Sequence, residues 1–167
     1  NSSFIADFGY TYGYKSDLEN HDKNTQVHFF SEFTKNLNFE NFISSNFNAK
    51  FNKVNNDYYL KVFDSSLSQT KLNPSNKDVM STSVSINLDH KDYSFDAGMD
   101  INEKLTIHES NDRFDYVLPY YNFSTSYLNE KIPGLISFKS KGNNTLKNTN
   151  NLKTKIINDL EFQSNNY

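Results

Sequence analysis

Residues 4–14 run Phe4-Ile5-Ala6-Asp7-Phe8-Gly9-Tyr10-Thr11-Tyr12-Gly13-Tyr14. Taken in steps of two, Phe4, Ala6, Phe8, Tyr10, Tyr12 and Tyr14 form one apolar, aromatic face, while Ile5, Asp7, Gly9, Thr11 and Gly13 form a mostly small or polar one. A period of two over this length marks a β-strand with one side against something apolar and the other against water. The pattern recurs along the chain and sets the expected fold class: all-β, an antiparallel up-and-down meander of about eight strands with no helix of consequence.

The first strand is expected at 3–14 and the second at 27–35, where Val27, Phe29 and Phe33 oppose His28, Glu32 and Thr34. A third is expected at 39–53, with Phe39, Ile43, Phe47, Ala49 and Phe51 on its apolar side and Asn41 and Ser45 interrupting it. The fourth, 79–88, sets Met80, Val84, Ile86 and Leu88 against a serine-rich face, and the fifth, 93–107, sets Tyr93, Phe95, Ala97, Met99 and Ile101 against Ser94, Asp96, Gly98, Asp100 and Asn102. The sixth, 113–127, is aromatic on both sides and has no definite phase. A short, weak seventh is expected at 135–141. The eighth, 152–163, alternates Leu152, Ile156, Leu160 and Phe162 with Lys153, Lys155, Asp159 and Glu161.

Apolar residues are 35% of the 167, yet aromatics are 16%, with 15 Phe and 11 Tyr, and the mean hydropathy is −0.77. A hydrophilic mean with abundant aromatics fits a wall in which only every second residue meets an apolar phase. No run is long enough for a helical membrane span. A net charge of −3 with interspersed signs provides no field for nucleic acid. The absence of cysteine excludes disulfides and thiolate metal sites.

Strands of this length exceed those of ordinary sheets, and most connections alternate between long and short. Both features are those of an outer-membrane β-barrel, with 15–26, 54–78, 108–112 and 142–151 as the extracellular loops. On that reading Phe8, Phe29, Phe47, Ile86, Phe95 and Ile156 face lipid, and Asp7, His28, Asn46, Asn87, Asp96 and Lys155 line a wet interior. In a soluble sandwich the assignment inverts, and the apolar sides become the core.

Two segments depart from simple alternation. Asn55-Asn56-Asp57-Tyr58-Tyr59-Leu60-Lys61-Val62-Phe63-Asp64 lies in the longest connection. Tyr58, Tyr59, Leu60, Val62 and Phe63 are costly to leave in water. Two outcomes stay open, a short strand extending the sheet and a loop folded into the lumen with Tyr59 and Phe63 against a plug. Arg113-Phe114-Asp115-Tyr116-Val117-Leu118-Pro119-Tyr120 holds the sole arginine of the chain and a proline within a strand. Pro119 removes a ladder donor and marks an irregularity, and Arg113 is suited to a bidentate partner.

These two stretches, with Asn1-Ser2-Ser3-Phe4-Ile5-Ala6-Asp7-Phe8 and His28-Phe29-Phe30-Ser31-Glu32-Phe33-Thr34-Lys35-Asn36-Leu37, resemble in order and spacing the outer-membrane LPS-assembly protein family, LptD or organic solvent tolerance protein, in its alphaproteobacterial form. The resemblance covers essentially all of 1–167 and rests on the ordered set. It implies an internal fragment of a very large barrel in the outer membrane, without the periplasmic domain or the terminal strands. It further implies a non-enzymatic transport role, with lipopolysaccharide as cargo, outer-membrane lipid around the wall and an LptE-type lipoprotein plug that residues 55–72 approach. A porin or receptor barrel and an extracellular β-rich adhesin are the alternatives.

No catalytic, cofactor or metal residues are expected. His21, His28, His90 and His108 lack ligand spacing. His21, Asp22, His108 and Asp112 are read as solvated loop residues, although barrel proteases place such residues on their rim.

Overall fold

The computed structural model describes residues 1–14, 24–107, 112–129, 133–147 and 151–164. Its eight strands are β1 (Ser2–Tyr14), β2 (Asn24–Asn36), β3 (Ser44–Val54), β4 (Val79–Asp89), β5 (Tyr93–Lys104), β6 (Phe114–Asn129), β7 (Gly134–Lys147) and β8 (Asn151–Ser164). They form one antiparallel sheet in sequence order, β1 through β8, and the two end strands do not pair with each other. Two short helices, α1 (Tyr59–Val62) and α2 (Asp64–Leu67), lie in the β3–β4 connection.

The ladders place each strand's alternation in phase with its neighbour's. Phe8 sits opposite Phe29, Phe33 opposite Ala49, Phe47 opposite Ile86, and Ile86 opposite Ala97, the residue two before Met99 and two after Phe95. Ile156 pairs with Gly142, and Gly142 pairs with Tyr121, which faces Ala97. Phe8, Phe29, Phe47, Ile86, Phe95 and Ile156 therefore share one apolar face. On the other face lie Asp7, Asn46, Asn87, Asp96 and Lys155, with Phe30 as its main apolar intruder. Most of the apolar face has nothing packed over it: Phe4, Phe8, Tyr10, Met99, Ile156 and Leu160 are all exposed.

Strand β3 begins at Ser44, so the strand expected from residue 39 is corrected. Asn38 adopts φ 53, a left-handed conformation that Asn tolerates better than most residues. Its amide is capped by Asn36 Oδ1 at 2.9 Å, and buried Ser45 receives the Phe39 amide at 3.1 Å. Side-chain capping of turn amides outcompetes strand extension here.

Strand β7 runs to Lys147, which corrects the short seventh strand and the first part of the 142–151 loop; Asn151 opens β8, and 148–150 lie outside the described residues. Gly142 and the polar run after it are poor strand formers, but Tyr121 covers the glycine: a Cβ at Gly142 would lie 2.4 Å from Tyr121 Cε1. Pairing on both sides overrides the weak local preference. Of the expected 15–26 loop, residues 24–26 belong to β2 and 15–23 lie outside the described residues, as do 108–111 of the 108–112 loop.

The ambiguous phase of the sixth strand has a structural cause. Gly98 and Asp100 of β5 face Tyr120 and Val117, and Thr145 and Asn143 of β7 face the same pair. Strand β6 thus carries one residue more than either neighbour, a bulge across Leu118 and Pro119. The bulge inverts the parity, so Phe114 and Tyr116 before it share the apolar face with Tyr121 and Phe123 after it. A polarity-sensitive thiol probe on Tyr116→Cys and Tyr121→Cys should report the same environment, and one on Tyr120→Cys the opposite. An unbulged strand would give opposite signals for the first two.

Candidate functional site

Past Lys50 and Ser83 the β3–β4 ladder stops, although β3 continues to Val54 and β4 begins at Val79. Residues 55–78 leave the sheet at this split. Asn55 closes the end of β2: its Oδ1 accepts from the Val27 amide and its Nδ2 donates to the Thr25 carbonyl, both at 2.8 Å. Asn56 Oδ1 then accepts the Tyr58 amide at 2.8 Å, an Asx turn that launches α1.

Tyr59, Phe63 and Leu67 stand at i, i+4 and i+8, with Leu60 beside them. That spacing makes one face of a helical segment. Tyr59, Leu60 and Leu67 are buried with Phe30, Val54, Leu72, Met80 and Leu105, and Phe63 packs against this group. Phe30 and Leu60 are fully buried, each a gain of about 1.5–3 kcal/mol. Alternation puts Phe30 and Val54 on the polar face but Met80 on the apolar one. The two sides meet in one cluster because the strands part. The segment is neither an added strand nor arranged with Tyr59 outward: Tyr59 faces the sheet, and Tyr58 (57% exposed) and Val62 (43%) point away.

Two polar clamps hold the insertion. In the first, the His28 ring occupies the space a side chain at Gly9 would need, with Cε1 2.3 Å from such a Cβ. It stacks on Phe30 at 4.5 Å, and its Nδ1 lies 2.7 Å from Tyr59 Oη. His28 Nε2 is 3.3 Å from Asp7 Oδ2, outside hydrogen-bond alignment, so that contact is electrostatic. The tautomer protonated on Nε2 suits both neighbours, since the Tyr59 hydroxyl donates to Nδ1 and the N–H faces the carboxylate. Burial, aided by the Asp7 charge, holds the Tyr59 phenol above the ordinary tyrosine range.

The second clamp centres on Arg113. Its guanidinium meets Asp57 in a fork, Nη1–Oδ2 at 2.9 Å and Nη2–Oδ1 at 2.5 Å. It also donates from Nε and Nη2 to Glu103 Oε1 at 2.9 and 2.7 Å, and to the Ile107 carbonyl at 3.1 Å. Lys53 Nζ takes the other Glu103 oxygen at 2.9 Å. Hydrogen bonding to Asp57 raises the arginine pKa against the opposing effect of burial, and Glu103 adds to the rise. Arg113 thus joins β5, the β5–β6 connection and the insertion, and Glu103 extends the network to Lys53 of β3. Lys61–Asp78 at 2.6 Å and Lys77–Asp64 at 2.7 Å brace the insertion internally.

Of the five residues expected to approach a plug, the structure brings Tyr59, Leu60 and Phe63 into one cluster and leaves Tyr58 and Val62 outside it. Alternation alone does not reveal the roles of His28 and Gly9. The i, i+4, i+8 spacing of Tyr59, Phe63 and Leu67 was the available signal for the helices. Among the described residues no group of three metal-binding side chains converges. His21, Asp22 and His108 lie outside the described residues. No family model, curated protein or solved structure matches the chain.

Removing the guanidinium with Arg113→Ala takes the fork from Asp57 and two donors from the buried Glu103. Loss of a buried ion-pair partner costs about 3–5 kcal/mol, and Lys53 retains Glu103, so the lower end is expected. Limited trypsin digestion should then cut after Lys61 and Lys71 well before the strands. Wild-type protection of both sites would show that the clamp does not hold the insertion. The neutral Tyr59 phenol is favoured by the fold, so docking is fully stable below the unfolded tyrosine pKa and is lost as pH rises through the raised folded value. The same digestion should accelerate only in strong alkali, and Tyr59→Phe should remove that step.

Proposed function

We propose that this chain is an arc in the wall of a large outer-membrane β-barrel of the LptD type, part of the translocon that delivers lipopolysaccharide to the outer leaflet. The observation that carries the proposal is the apolar face that continues over eight paired strands with no second layer over most of it. A soluble sandwich needs that layer, whereas a barrel wall uses lipid.

Three features support the same placement. Aromatics gather towards both ends of the apolar face. At the short-turn end Tyr93, Phe123 and Phe138 form a chain with centroids 6.0 and 6.3 Å apart, joined by Phe42. At the insertion end Phe114 stacks on Tyr116, with Tyr10 and Tyr12 on β1. Polar residues on that face also satisfy one another: Ser140 Oγ donates to Asn158 Oδ1 at 2.7 Å and Thr154 Oγ1 to Asn144 Oδ1 at 2.8 Å. Hydrocarbon demands such pairing, because nothing else there can accept or donate. Finally, the four stretches that resemble the family supply Asp7, His28, Asp57, Tyr59 and Arg113, five members of the two clamps; Glu103 and Lys53 lie outside them.

In this reading Phe8, Phe29, Phe47, Ile86, Phe95 and Ile156 meet lipid, the polar face lines the lumen, and the insertion presents Tyr58 and Val62 to an LptE-type plug. A porin or receptor barrel shares such a wall but not the ordered likeness or the plug. Met99→Lys, at the middle of β5 on the apolar face, should cost about 2–4 kcal/mol, and Asp96→Lys far less, measured as barrel assembly in vivo. Equal damage from both would sink the wall assignment. Tyr58→Asp with Val62→Asp should reduce co-purification of a lipoprotein plug and admit large antibiotics while leaving insertion intact. Unchanged co-purification would remove the plug contact and favour the porin reading.

A further inference from the structure

We propose that the outward side of β7 and β8 is a contact between two copies of this chain within the membrane, an inference that rests on the apolar side of the sheet meeting lipid. That side changes chemistry from one end of the sheet to the other. Near mid-strand, β1 to β5 present Phe8, Phe29, Ala49, Val84 and Met99. Ser140, the seventh of fourteen residues in β7, and Asn158, the eighth of fourteen in β8, are polar instead. The ladder runs from Phe95 through Phe123 to Ser140 and Asn158, so both lie on the apolar side. Asn144 and Thr154, opposite each other, follow four residues along the same side.

The bonds these residues make to one another leave part of their capacity unused. Ser140 Oγ donates to Asn158 Oδ1 at 2.7 Å, Thr154 Oγ1 donates to Asn144 Oδ1 at 2.8 Å, and the Tyr121 hydroxyl lies 3.2 Å from Ser140 Oγ. Both amides are held by their oxygens, and among the described residues neither amide nitrogen donates to a side chain. A carboxamide has two N–H donors and two oxygen lone pairs. Asn158 is exposed, and acyl chains around mid-strand offer its N–H groups nothing.

A second copy meets that need. On this side β7 and β8 carry no charge between Leu146 and Leu152 at one end and Phe138 and Leu160 at the other, so like can meet like without repulsion. Two carboxamides are self-complementary, each giving an N–H to the other's free lone pair. A two-fold axis along the membrane normal sets the same patch of both copies together. Wall strands tilt by about 35–45°, so two walls so related cross and come closest near mid-strand, where Ser140 and Asn158 stand. The patch is also flat. The Tyr121 ring lies over Gly142, with Cε1 2.4 Å from the place of a Cβ, and short side chains let backbones approach as they do between membrane helices.

The test uses the intact protein in outer-membrane vesicles. Ile156→Cys, between Thr154 and Asn158 on β8, is the reporter, and Val84→Cys, on the same side of β4, is the control. A short bismaleimide should join two reporter copies about tenfold more than two control copies, the factor that one side-chain hydrogen bond within a bilayer supplies. Each yield is taken above that of the protein without the added cysteine. Adding Asn144→Leu and Asn158→Leu should bring the reporter down to the control level, and leucine suits a wall in lipid. Equal joining at the two positions, an undiminished yield in the leucine variant, or adducts of Ile156→Cys with an unlike protein alone would overturn the contact between copies. A polarity-sensitive thiol probe on Val84→Cys is read in parallel. A watery signal there overturns the wall assignment, whereas a lipid-like signal without joined copies overturns the contact alone.

Discussion

The structure depends on the antiparallel ladder, in which β2 through β7 each find backbone partners on both sides. A sheet in one layer has no core of the usual kind. Its cohesion comes from main-chain hydrogen bonds and from side chains that touch laterally, Phe29 with Phe51 and Phe33 with Phe47. The ladder is also why register matters so much. A one-residue slip would carry the aromatics of the apolar face to the charged one. Among the described residues β1 and β8 each leave a whole edge unpaired, and such an edge is open to pairing with a further strand.

The split between β3 and β4 is where this economy fails and something else is needed. Two strands that part expose amides and apolar side chains on both sides of the sheet. Residues 55–78 fill the gap with a small conventional core, the only place where the polar face is covered by apolar groups among the described residues. Hydrophobic burial supplies the attraction there, but it is non-directional. Direction comes from the clamps, a phenol aimed at an imidazole over a glycine and a guanidinium forked between two carboxylates. The first joins the insertion to β1 and β2, the second to β3 and β5.

The glycines and the proline do related work on either side of the sheet. Gly9, Gly98 and Gly142 each leave room for an aromatic ring on a neighbouring strand, His28, Tyr120 and Tyr121 respectively. The bulge at Leu118 and Pro119 keeps the aromatics of β6 on one face and, at the same step, opens a groove at Tyr120 on the other. One inserted residue therefore serves both surfaces.

Much of the sheet was legible in the chain because alternation is a local signal. Phe8, Phe95 and Ile156 announce their side through neighbours two residues away, and in-phase ladders then align them. Three things were not legible. Residues 39–43 alternate well enough to pass for strand, and only the Ser45 and Asn36 caps stop them. The seventh strand is weak by composition and exists because β6 and β8 hold it on both sides. The phase of β6 has no local solution, since it changes at a bulge defined by neighbours far away in sequence. The sequence alone determined an all-β meander with one apolar and one charged face, because a period of two needs no distant contact. The docking of Tyr59 on His28, the fork of Arg113 on Asp57 and Glu103 and the groove at Tyr120 were decided by tertiary structure alone, because each joins residues whose separation along the chain carries no periodicity.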